Sequence, residues 1–129
     1  MRSFLPLCLS FLTFTTLHAQ QHAWSFSFGS TQFDRAQGLA MDPAGNIYVC
    51  GAFDGAMDID PDNVDTTIME DSGNGDIYLA KYNNSGDRIW AMDLGDWGHD
   101  LGSDVEVDAT GNVYLTGYSR DGGLRSRRG

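Results

Sequence analysis

At 129 residues the chain has room for about one ordinary domain. Its 18 acidic residues outweigh 8 basic ones, for a net charge of -10, and between Trp24 and Ser119 the only lysine or arginine residues are Arg35, Lys81 and Arg88. That stretch carries no basic stripe, so the usual footprint of a nucleic-acid-binding protein is excluded, while an acidic surface suits solubility or divalent cations.

Residues 1–19 have the shape of a secretory signal peptide. Arg2 supplies a basic start, Phe4–Leu17 is apolar and uncharged, and Ala19 precedes Gln20 as a small-residue cleavage site. The stretch is too short and too Thr-rich for a membrane span. Cys8 follows Leu5-Pro6-Leu7 in mid-stretch, which argues against a lipoprotein. Cleavage leaves Cys50 as the only cysteine, so no internal disulfide is available. Export without disulfides fits a bacterial exterior or cell surface.

In the mature part, Trp24-Ser-Phe-Ser-Phe28 alternates large apolar with small polar residues, the period of a half-buried strand. Leu39-Ala-Met41 is a second strand. Asp42-Pro-Ala-Gly45-Asn46 is a turn, in which Asp bonds the following amides and Gly takes the positive φ. Ile47–Cys50 is the strand back. The connection 54–75 is long and rich in aspartate, and Thr66–Met69 reads as a short extra strand inside it. Asp76–Tyr82 is a strand, Asn83–Asp87 its turn, and Arg88–Met92 the return. Val105–Val107, the turn Asp108–Asn112 and Val113–Thr116 complete the series. No 3.6-residue period appears after the signal peptide, so the fold class is all-β.

The tail, residues 120–129, holds Arg120, Arg125, Arg127 and Arg128 and lacks apolar periodicity. Two readings stand: a disordered basic tail, or an out-of-frame edge of a fragment.

Two segments match at a fixed offset. Shifting Trp24–Phe53 by the 66 positions that take Gly45 to Gly111 lands it on Trp90–Ser119 without a gap. Trp24 falls on Trp90, Gly29 on Gly95, Asp34 on Asp100, Asp42 on Asp108, Tyr48 on Tyr114 and Gly51 on Gly117. A fixed period of this kind points to stacked units, none of which buries its apolar face alone.

The pattern Asp-x-x-Gly-Asn-Ile/Val-Tyr-Val/Leu-x-Gly resembles the core of the bacterial seven-bladed β-propeller repeat family. So do the strand Asp76–Tyr82, the turn Asn84-Ser85-Gly86 and Trp90, while Phe53–Pro61 resembles a segment of secreted Bacteroidetes members. The resemblance covers Trp24–Ser119. It implies four-stranded antiparallel blades in an incomplete ring of about one and a half blades over residues 24–119, and export. It implies no activity, because the family has no catalytic residues to carry over.

Few residues invite chemistry. Asp58-Ile-Asp60-Pro-Asp62-Asn63 suggests calcium, but Asn63 stands where an EF-hand needs Gly, and Met69 where it needs the bidentate Glu. A polar turn is the better reading. His99-Asp100 beside Ser103 suggests a nucleophile and base, yet the other copy has Phe33-Asp34 and Gln37, so only Asp is shared. Asp34 and Asp100 read as turn residues bonding backbone amides. Trp24 and Trp90 read as core in preference to sugar platforms. Asn83-Asn84-Ser85 is a formal glycosylation triplet lying in a turn. No catalytic, cofactor-binding or metal-binding residue is assigned, and no cofactor. The expected function is a non-enzymatic extracellular binding or scaffold module for a protein or glycan. A propeller enzyme fragment acting on polysaccharide is the alternative, and a purely structural array is a third.

Overall fold

The computed structural model describes residues 24–60, 67–120 and, for the backbone, 125–128. The signal-peptide reading and the calcium candidates Asp62 and Asn63 lie outside these residues. The described chain is all-β, with antiparallel pairing throughout and no helix. The strands are β1 (Asp34–Met41), β2 (Ile47–Phe53), β3 (Ala56–Asp58), β4 (Ile68–Glu70), β5 (Asp76–Tyr82), β6 (Arg88–Gly95), β7 (Asp100–Val107), β8 (Val113–Ser119) and β9 (Arg125–Arg128).

The main sheet has the order β1-β2-β5-β6-β9. β3–β4 and β7–β8 are separate two-stranded ribbons. Alternation divides the side chains of β2 and β5 between two cores. Phe53, Tyr78, Ala80 and Tyr82 face Met57, Ile59 and Met69 of the β3–β4 insertion. Tyr48, Cys50 and Leu79 face Val105 of β7, with Trp90, Met92, Val107, Val113 and Leu115 around them. Full burial of each large apolar side chain contributes about 1.5–3 kcal/mol. Trp90 is half-buried, its ring meeting the Tyr48 ring edge-on at 6.0 Å.

Polar contacts fasten the insertion to the first core. Arg88 Nε meets Asp60 Oδ2 at 3.0 Å, and Arg88 Nη2 donates to Thr67 Oγ1 at 2.7 Å. The Tyr82 hydroxyl donates to the Ile59 carbonyl at 2.9 Å.

The matching segments have matching structures. β7 and β8 have the bounds of β1 and β2 moved by the offset, and the same partners: Asp34 opposes Phe53, Asp100 opposes Ser119. Both pairs carry a bulge at the same place, between Ala36 and Gly38 and between Gly102 and Asp104. The bulge breaks the two-residue period, so β1 and β7 are longer than their alternating segments Leu39–Met41 and Val105–Val107 suggest.

Three segments differ in detail from what their local sequence suggests. Trp24–Phe28 is not a ladder strand; its neighbourhood has one isolated bridge, Gly29 to Asp58. Its counterpart Trp90–Leu94 pairs with β5, and both edges of β5 are taken by β2 and β6. The segment lays its rings on the sheet instead: Phe26 is 4.9 Å from Tyr82, Phe28 is 5.5 Å from Tyr78, and Trp24 Nε1 donates to the Asn84 carbonyl at 2.9 Å. Within the long connection, β4 begins at Ile68 and pairs with β3, a strand too short to show a period. In the tail, Arg125–Arg128 pairs antiparallel with β6, because β6 is an open sheet edge with unpaired backbone groups.

The stacked sheets approach at glycines. A Cβ on Gly38 would lie 2.8 Å from the Asp104 Cα, the Val105 nitrogen and the Cys50 sulfur. One on Gly102 would lie 2.9 Å from an Ile77 methyl carbon and 3.1 Å from the Gly51 carbonyl oxygen. Gly38→Ala is expected to reduce stability by about 1–3 kcal/mol, the usual cost of overpacking. Urea denaturation measures the loss, and amide exchange at Val105–Val107 should accelerate with it.

Candidate binding cleft

The turns Asp42–Asn46 and Asp108–Asn112 share one hydrogen-bond pattern. Asp42 Oδ1 accepts the N–H groups of Ala44 and Asn46 at 3.0 and 2.9 Å, and Oδ2 accepts from Asn46 Nδ2 at 2.7 Å. Asp108 accepts from Thr110, Asn112 and Asn112 Nδ2 in the same way. Asn83 and Asp87 make the reciprocal version, with Asn leading. Gly45, Gly86 and Gly111 all have φ between 84° and 95°, as these turns require.

The opposite end of the sheets is built on aspartates that open strands. Asp34, Asp76 and Asp100 each accept through Oδ2 the N–H four residues earlier: Ser30 at 2.7 Å, Ser72 at 3.0 Å and Asp96 at 3.0 Å. The reading of Asp34 and Asp100 as amide-bonding turn residues agrees with this, and Asp76 is a third case. Burial pushes the Asp76 carboxyl up from its ordinary value, and the nearby charge of Asp100 adds to the shift.

Between these loops lies a cleft of about 320 Å³. Phe33, Arg35, Asp54, Asn74, His99 and Tyr118 line it. The Phe33 and Tyr118 rings are more than half exposed. The Arg35 guanidinium carbon sits 5.4 Å from the centre of the Phe33 ring, within cation–π range. Gly75 also lines the cleft.

Residues at matched positions of the two copies meet here. Phe33 and His99, Arg35 and Leu101, and Ala52 and Tyr118 each differ by the offset, and all six line the cleft. Sequence reasoning passed over all but His99. The signal was available: each pair occupies one position and differs sharply in chemistry, where core pairs such as Ile47 and Val113 are conservative.

The other candidates do not come together. Asp100 bonds the Asp96 amide, and no hydrogen bond joins it to His99 or Ser103. Asp58 Oδ1 accepts the Asp60 N–H at 3.0 Å, as a polar turn does, and Asp60 pairs with Arg88. Among the described residues no group of three His, Cys, Asp or Glu is placed to hold a metal ion. Trp24 and Trp90 lie outside the cleft. Comparison with protein-family models, curated proteins and solved structures returns no match.

The Asp42 turn has a measurable signature. The Asn46 side-chain hydrogen bond, with help from Lys81, holds the Asp42 carboxyl at about 2, against an ordinary 3.8. A folded value below the unfolded one means that this carboxylate supports the fold fully above pH 3.8 and loses that support as pH falls towards 2. A carbon-13 NMR titration should place the Asp42 midpoint near 2. Asn46→Ala should move it upward, and no movement would assign the shift to another cause.

Proposed function

We propose that the chain is an exported, non-enzymatic binding module of stacked propeller-type blades, resembling the bacterial seven-bladed family, and that its cleft takes a glycan. In this reading β1-β2-β5-β6 is one blade and β7–β8 begins the next. Their face-to-face contact through Gly38 and Gly102 supports it, because stacked blades bury their faces against each other.

The cleft carries the functional part. Glycan sites commonly offer aromatic faces to the apolar side of a sugar ring and polar groups to its hydroxyls. Phe33 and Tyr118 provide the rings, and Arg35, Asn74, His99 and Asp54 the donors and acceptors. The differing pairs Phe33/His99, Arg35/Leu101 and Ala52/Tyr118 sit on strands and loops that the two copies share, which is how one scaffold serves different ligands.

The test is a glycan array with the full chain, followed by calorimetry on the strongest ligand. Tyr118→Ala and Arg35→Ala should each weaken binding at least tenfold, equivalent to about 1.4 kcal/mol, with the unfolding midpoint little changed. Failure to bind any glycan, or binding that ignores both substitutions, overturns this assignment.

A further inference from the structure

The charges in the cleft narrow the class of sugar it takes, given the reading of the cleft as a glycan site. In a chain with 18 acidic and 8 basic residues, a cation with no anionic partner stands out.

Between Trp24 and Ser119 the lysine and arginine residues are Arg35, Lys81 and Arg88. Two of them are neutralised inside the fold. Lys81 Nζ lies 3.3 Å from Asp42 Oδ2, and Arg88 Nε lies 3.0 Å from Asp60 Oδ2. Arg35 forms no ion pair and its guanidinium donates no hydrogen bond among the described residues. Carboxylates are nonetheless close by, since Asp54 and Asp100 line the same cleft. Asp100 is withdrawn from it: the residue is 3% exposed, and its Oδ2 accepts the Asp96 N–H. The contact that Arg35 does make, over the Phe33 ring, holds the guanidinium without engaging its N–H donors as hydrogen bonds.

The two hairpins contribute different halves of the arrangement. β1 supplies the cation, and β8 supplies the Tyr118 ring, which is 54% exposed. At the position matching Arg35 the second copy has Leu101, which also lines the cleft. The cleft therefore holds one guanidinium and no second lysine or arginine among the described residues.

We propose that the cleft takes a uronate sugar, whose ring lies against Tyr118 and whose carboxylate accepts two parallel hydrogen bonds from the Arg35 guanidinium. A planar fork matches both oxygens of a carboxylate. A sulfate ester would bring a third charged oxygen, for which the cleft has no further lysine or arginine. His99 and Asn74 remain for the sugar hydroxyls. The charge of the whole chain makes Arg35 decisive. At a net -10 there is no general attraction for polyanions. Exposed charges more than about 8 Å apart are largely screened at physiological salt, whereas a partly buried contact pair is screened much less. Preference for a uronate must then reside in Arg35 itself and not in the surrounding field.

The test applies matched oligosaccharides to the full chain on an array. Oligomers of glucuronate, galacturonate, mannuronate and guluronate are each placed beside the same oligomer with its carboxyls reduced to primary alcohols, and beside the sulfate ester of that reduced form. At least one uronate should bind about tenfold or more tighter than its reduced form, the usual worth of hydrogen bonds to a charged group. Calorimetry on that pair should then show Arg35→Gln bringing the ratio of the two affinities close to one, with the amide resonances of β2 and β7 in place to show an intact fold. Equal binding of uronate and reduced forms overturns the uronate assignment and leaves the glycan reading standing. Tighter binding of the sulfated form overturns the choice of carboxylate, and a preference that survives Arg35→Gln overturns the role of that residue. Binding of none of these sugars overturns the proposal as well, and the neutral glycans elsewhere on the array then decide the broader reading.

Discussion

Everything in this fold depends on two neighbouring strands being apolar on both faces. β2 and β5 carry Tyr48, Cys50, Phe53, Ile77, Tyr78, Leu79, Ala80 and Tyr82, all buried. A sheet with such strands at its centre must be covered twice. The β3–β4 insertion and the rings of Phe26 and Phe28 cover one side. The β7–β8 hairpin covers the other. The long connection is therefore half of the first core, held there by Arg88 and Tyr82. It is a structural layer and not a surface embellishment.

The duplicated hairpins show how one local design meets two surroundings. Each has the same turn, the same bulge and the same pairing, since these depend on nearby residues. Their burial differs because their neighbours differ. β2 is sandwiched by β5 and two cores and is almost wholly buried, whereas most of β8 is exposed. The residues follow that difference. Cys50 and Ala52 in the enclosed copy become Thr116 and Tyr118 in the open one. A phenol at the enclosed position would have to displace its neighbours, while at the open one it can face a ligand.

Local order was the legible part of the sequence. The Asp–Gly–Asn turns, the strands Ile47–Cys50 and Asp76–Tyr82, and the offset all follow from short-range chemistry, and the structure forms them. What escaped was set by competition for partners. Trp24–Phe28 has the alternation of a strand and the sequence of one, but hydrogen-bonded edges are finite, and β5 had none left. The reverse occurred at Arg125–Arg128, where an unpromising composition meets the open edge of β6. Neither outcome is encoded within the segment itself. The cleft was missed for a related reason. Its residues come from four loops and two hairpins, and the offset was read for what the copies share, while the cleft is made of what they do not.

The ends and the edge of the hairpins place different demands on a ligand. At the end holding Phe33 and Tyr118, the backbone is already satisfied by the aspartate-closed loops, so recognition there must come from side chains. That favours small ligands with their own hydroxyls or ring faces. Along β8 one side of the backbone is unpaired among the described residues, and only another strand supplies matching donors and acceptors at the right spacing. Backbone pairing alone would accept almost any extended chain.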